Sequence, residues 1–146
     1  MYSNEIKRKA IILAARSYLG VPFCHQGRSI CQGFDCVGLI CQVLRDVGLK
    51  INSHENYNRR PEKGLLLQAA LDAGLIKLPP DSLKDSSQYK QGDILLFRFG
   101  RSVEHAAFYT DIGILHADEK IKKIVEHGLT KSWEKRIFAI LSCPVL

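Results

Sequence analysis

Gly33-Phe34-Asp35-Cys36-Val37-Gly38-Leu39-Ile40 is the stretch on which the reading of the chain turns. Behind it, Ile40, Val43, Leu44 and Val47 fall on one helical face with Cys36, and Gln42, Arg45 and Asp46 fall on another. The spacing predicts a helix from about Cys36 to Val47, closed by Gly48, with Asp35 as its N-cap. A cysteine in the first turn of a helix faces unpaired backbone N–H groups and the positive end of the helix dipole, a setting that favours the thiolate. The stretch therefore reads as a sulfur nucleophile at a helix start.

Upstream, Ser3 to Tyr18 reads as a first helix with an apolar stripe of Ile6, Ala10, Leu13, Ala14 and Tyr18. Gly20 and Pro22 end it, and Phe23 to Phe34 is a loop. Downstream, Asn52–Pro61 is a polar loop and Glu62–Ala73 a third helix stopped by Gly74. Pro79-Pro80-Asp81 breaks the chain again, leaving at most one short turn before Gln91. After Gly92-Asp93 the character changes: strands are expected at 94–99, 104–110, 114–117, 121–126 and 136–141, separated by turn residues. Helices first and a strand meander after predict an α+β fold, an antiparallel sheet with helices on one face.

At 146 residues the chain is expected to form one domain, 1–146, with ordinary shares of hydrophobic (46%) and charged (25%) residues. No apolar run approaches the roughly 20 residues that span a bilayer, so no membrane insertion is expected. Lys7-Arg8-Lys9 before an apolar segment mimics an export signal, but Arg16 interrupts it and no cleavage site follows; it reads as a helix of the fold. The net charge of +6 suits an anionic partner such as a cell-wall polymer, nucleic acid or lipid headgroups. No basic cluster interleaved with aromatics marks a nucleic-acid groove. Cys24, Cys31, Cys36 and Cys41 are spaced by 7, 5 and 5, unlike the paired cysteines of a zinc site. Cys24 and Cys31 would pair only in an oxidising compartment.

A thiol nucleophile needs a base, and the base an orienting group. Of the five histidines, His54 lies in the polar loop and His25 in the loop ahead of the nucleophile. His105 shares a strand face with Ala107 and Tyr109, where a helix start would have room beside Ala107. His116 ends the next strand, within reach across an antiparallel pair. As metal ligands the two lack an obvious third histidine or carboxylate.

The same stretch resembles the nucleophile motif of the NlpC/P60 family of cysteine peptidases, usually Asp-Cys-Ser-Gly-Leu. Leu19-Gly20-Val21-Pro22-Phe23 is similar to its Leu-Gly-Thr-Pro-Tyr, and Gln91-Gly92-Asp93-Ile94-Leu95-Leu96-Phe97 to its Pro-Gly-Asp-Leu-Val-Phe-Phe. His105-Ala106-Ala107-Phe108-Tyr109 resembles its His-Val-Gly-Ile-Tyr, and Leu115-His116-Ala117 its third-residue strand. Val125-Glu126-His127-Gly128-Leu129 and Trp133-Glu134-Lys135-Arg136 look like the C-terminal pattern of phage-type, tail-associated cell-wall peptidases.

The resemblance implies a papain-like core with Cys36 as nucleophile, His105 as general base and His116 orienting it. The Cys36 N–H would join an oxyanion hole. It further implies hydrolysis of peptidoglycan stem peptides, at the D-γ-glutamyl–diamino acid bond, through a thioester and without metal or organic cofactor. Tyr18, Phe23, His25, Asp35 and Val37 would form the substrate side. Phe23 replaces a family tyrosine whose hydroxyl reaches the active site, a role open to His25, Gln26 or Tyr18, and Val37 replaces a serine. Both changes bear on the bond cleaved. A protein made in the cytoplasm without an export signal would reach the wall through a phage tail or related apparatus, or after lysis. The competing readings are a thiol amidase or acyltransferase on another amide or a lipid ester, and a non-catalytic tail or assembly module.

Overall fold

The computed structural model describes residues 4–49, 65–83, 86–100 and 103–143. The Asn52–Pro61 loop with His54, the Ser3 end of the first helix and residues 62–64 of the third lie outside that set. In chain order, α1 (Asn4–Arg16) is followed by a two-residue hairpin, β1 (Arg28–Ser29) and β2 (Gly33–Phe34), and then by α2 (Cys36–Asp46). Next come α3 (Leu65–Asp72), β3 (Ile76–Lys77) and two 3-10 turns at Pro80–Leu83 and Ser86–Gln88, one more than expected. The C-terminal part holds β4 (Ile94–Phe99), β5 (Val103–Tyr109), β6 (Ile114–Asp118), β7 (Lys123–His127), α4 (Lys131–Glu134) and β8 (Ile137–Ser142).

The large sheet is antiparallel, with strand order β3-β8-β4-β5-β6-β7. It departs from a plain meander because β8 crosses back to pair with β4, and β3, unforeseen in the sequence, adds the far edge. Helices α1 and α2 pack one face: Ile11, Ala15, Leu39, Ile40, Val43 and Leu44 meet Leu96, Ala106, Phe108, Leu115 and Leu141. The other face is covered too, since Leu95, Phe97, Ala107, Ile114 and Ile140 pack with Tyr89, Leu129 and Trp133. α1 and α2 thus lie on one face as expected, and the second face is covered by loop residues and the short α4.

The stripe expected on α1 is also rotated. Leu13 is 68% and Ile6 53% exposed, while Ile11, Ile12 and Ala15 are buried. The inward face includes two arginines that a hydrophobic pattern discounts. Arg8 meets the buried Asp93 at 2.7 Å, and Arg16 grips Glu126 with two hydrogen bonds of 3.0 and 2.8 Å and also pairs with Asp111. Bidentate charge pairs of this kind orient an element strongly. Asp93 in turn accepts the Lys90 N–H at 3.0 Å, so the Gly92-Asp93 turn is tied to α1 at the entrance of β4.

Candidate active site

Cys36 opens α2, and Asp35 caps it in extended backbone conformation, accepting the Gly38 N–H at 2.8 Å. The Asp35 carboxylate is 4% exposed and also accepts the Gln26 N–H at 2.8 Å and the Arg28 guanidinium at 3.0 Å. It thus locks the 24–34 loop onto the helix start. Glycines let the two surfaces close: a Cβ on Gly38 would lie 2.0 Å from the Gly27 carbonyl oxygen, and one on Gly27 would lie 2.2 Å from that of Gly33.

The histidines stand where two strands part. β5 pairs with β6 only at Phe108↔Leu115 and Tyr109↔Ile114, whereas β4 follows β5 along its whole length and β7 follows β6. The facing backbones of Glu104–Ala107 and His116–Asp118 are therefore unpaired with each other. α2, which carries Cys36 at its start, packs against both of these strands. His105 Nε2 and His116 Nδ1 bridge the gap at 2.8 Å.

The expected faces differ in detail. α2 packs on the face of Ala106 and Phe108, while His105 lies in register with Phe97 on the face of Ala107 and Trp133. Among the described residues, no hydrogen bond joins the thiol to the His105 ring. Burial dominates the electrostatics: it pushes the Cys36 thiol up to about 12, with Asp35 adding to the rise and the Ala106 N–H opposing it. Burial brings His105 down to about 4. His116 falls to about 3, through burial first and then through its histidine neighbours. Burial thus raises the thiol and lowers both imidazoles, in the direction opposite to the helix-start effect expected from the sequence.

The remaining expected residues are distributed unevenly. Phe23 and Val37 pack against the main core. His25 sits in the turn beside Gln26, which has a positive φ of 58°. Tyr18 donates its hydroxyl to Asp46 and stacks edge-on against Phe34 at 5.3 Å. Asp46 is ten residues, about 15 Å, along α2 from Cys36, so the Tyr18 hydroxyl is not brought to the thiol. Cys24 and Cys31 are free thiols.

His127 on β7 is the group that sequence reasoning passed over. Its Nε2 lies 2.9 Å from His116 Nε2, and its Nδ1 lies 2.9 Å from the Gly128 carbonyl oxygen. Together with Asp118 it supplies the third histidine and the carboxylate that His116 was expected to lack: His116, Asp118 and His127 are the one set among the described residues with metal-ligand proximity. The signal was present in the sequence, since His105, His116 and His127 recur every 11 residues. Trp133 covers all three, its ring centre 6.1, 5.1 and 5.5 Å from theirs.

A cysteine at a helix start, a histidine on the adjoining strand and an antiparallel sheet beside them define a papain-like α+β fold. Residues 20–142 match the NlpC/P60 family, and the chain belongs to that family. Among solved structures it is similar to the NlpC/P60 domain of the peptidoglycan hydrolase SagA, at 20% identity over 92% of this chain and 97% of that one, with a TM-score of 0.63. It is similar to the peptidoglycan hydrolase RipB of Mycobacterium tuberculosis, at 22% identity and a TM-score of 0.63, over 94% of this chain but 64% of that one. It is similar also to RipD of Mycobacterium tuberculosis, a non-catalytic NlpC/p60 domain protein adapted to peptidoglycan binding (21% identity, 99% and 100% covered, TM-score 0.61). No curated protein sequence matches the chain.

Proposed function

We propose that residues 1–146 act as one catalytic domain, a cysteine endopeptidase that hydrolyses peptidoglycan stem peptides. The observation that carries this reading is the 2.8 Å His105–His116 contact across the parted strands, with Cys36 at the start of the helix that packs against β5. Support comes from membership of the NlpC/P60 family and from the hydrolases SagA and RipB among the similar structures.

Cys36 and His105 begin as a neutral pair. As Sγ attacks the carbonyl carbon, its proton passes to His105 Nδ1, the ring nitrogen not engaged by His116. Collapse of the tetrahedral species breaks the amide C–N bond, and the imidazolium returns the proton to the leaving amine. Water then attacks the thioester, giving its proton to His105; the carboxylic acid leaves and the thiol is restored. The Cys36 N–H at the helix start is the oxyanion donor. The D-γ-glutamyl–diamino acid bond is the preferred target, with Phe23, His25 and Val37 toward the substrate and Asp35 fixing the helix start behind them, and delivery to the wall by a phage tail or related apparatus is part of the same proposal.

A second reading, a non-catalytic peptidoglycan-binding module, is favoured by one observation: Cys36 is only 8% exposed, with its thiol pushed up to about 12. Digestion of purified peptidoglycan by wild type and Cys36→Ala, read by mass spectrometry, separates the two. Stem-peptide cleavage by wild type alone is expected. Intact peptidoglycan with retained binding would move the assignment to the second reading, and release of fatty acid from lipid esters would point to an acyltransferase.

A further inference from the structure

We infer that His127 and the Gly128 carbonyl set the direction of a three-histidine relay that leaves Nδ1 of His105 as the bare, proton-accepting nitrogen. The inference rests on the proposed thiol chemistry and names a positioning residue for it. It begins from an atom with no choice, because a backbone carbonyl oxygen only accepts hydrogen bonds. At 2.9 Å from Gly128 O, His127 Nδ1 must carry a proton. In a neutral ring that leaves His127 Nε2 as an acceptor, so the 2.9 Å contact to His116 is donated by His116 Nε2–H. His116 Nδ1 is then the acceptor of the 2.8 Å contact, which is donated by His105 Nε2–H. One carbonyl thus determines three tautomers, and the last ring is left with a lone pair on Nδ1.

Trp133 lies against all three rings, held by α4, whose first turn is capped by the Thr130 hydroxyl. The same nitrogens could in principle ligate a metal with Asp118, but two tetrahedral ligands at 2.0–2.1 Å from zinc stand about 3.3 Å apart. The His116–His127 separation of 2.9 Å is a hydrogen-bond distance. Asp118 Oδ1 is also already occupied, by the Lys120 and Ile121 N–H groups at 2.8 and 3.1 Å.

The test reads the tautomers directly, by two-bond proton–nitrogen correlation on full-length protein with 15N-labelled histidines at pH 8. His105 and His116 are expected as Nε2–H tautomers and His127 as the Nδ1–H tautomer. An Nε2–H on His127, an Nδ1–H on His105 or a doubly protonated His127 would overturn the relay, as would stoichiometric zinc binding that abolishes the His116–His127 pattern. A kinetic arm uses iodoacetamide on Cys36. His127→Leu, which removes the acceptor, should slow alkylation roughly tenfold or more. His127→Gln, with a carbonyl oxygen near the Nε2 position, should restore most of the rate. Equal rates in wild type and a folded Leu variant would overturn the proposal; if the Leu variant does not fold, the wild-type tautomers decide. Neither readout involves peptidoglycan, so expected tautomers with failed digestion would sink only the substrate assignment.

Discussion

Gly38 shows how a single hydrogen atom shapes this site. The Gly27 carbonyl occupies the place a side chain at position 38 would need, at 2.0 Å. Backbone cannot swing aside as a flexible side chain can, so Gly38→Ala must push the 24–34 loop off the helix start. Overpacking of this kind costs about 2–3 kcal/mol, and the urea midpoint should fall accordingly with the slope unchanged. An unshifted midpoint would show that the loop yields freely. The sequence put a glycine two residues after the cysteine but not its reason, which lies in a carbonyl 11 positions upstream.

At the scale of elements, the helix start and the parted strands define the candidate site. Asp35 joins loop and helix through the Gly38 N–H, the Gln26 N–H and Arg28. Asp35→Ala would remove the cap and leave a largely buried guanidinium without this counter-charge, a loss of about 3 kcal/mol. Asp35→Asn, which keeps an acceptor, should lose less; equal losses in the two variants, measured by urea unfolding, would deny the charge any part. The cap was legible from Asp35 standing before an amphipathic run. The opening between β5 and β6 was not, because alternation assigns faces and cannot tell a paired strand from a parted one. The sequence placed α2 on the face of His105, whereas α2 packs on the face of Ala106 and Phe108.

For the whole molecule, burying neutral histidines makes stability depend on pH. The fold holds His105 down to about 4 and His116 to about 3, while an unfolded chain protonates its histidines from near 6.5. Below about 6.5 the unfolded state binds more protons, so stability is complete above that pH and is lost as pH falls toward 4 and then 3. Glu126, kept below the usual carboxylate range by Arg16 against the opposing effect of burial, adds a loss only at lower pH. The melting temperature should therefore fall between pH 6.5 and 5, before carboxylates titrate, and His116→Gln should flatten that slope. A melting temperature constant across this range would contradict the burial of neutral rings.

By itself the sequence determined the α+β order, the positions of α2 and of β4 to β7 within a few residues, and a family likeness carried by Cys36, His105 and His116. These are local matters, written in periodicity, turn residues and motif spacing. Tertiary structure decided which way α1 faces, because carboxylates just ahead of β4 and on β7 draw in arginines that a hydrophobic count leaves outside. It also decided that β8 returns to β4 and that His127 joins the line of histidines. Side chains 11 residues apart become neighbours here only because the sheet sets successive strands side by side, and that arrangement is a property of the assembled sheet.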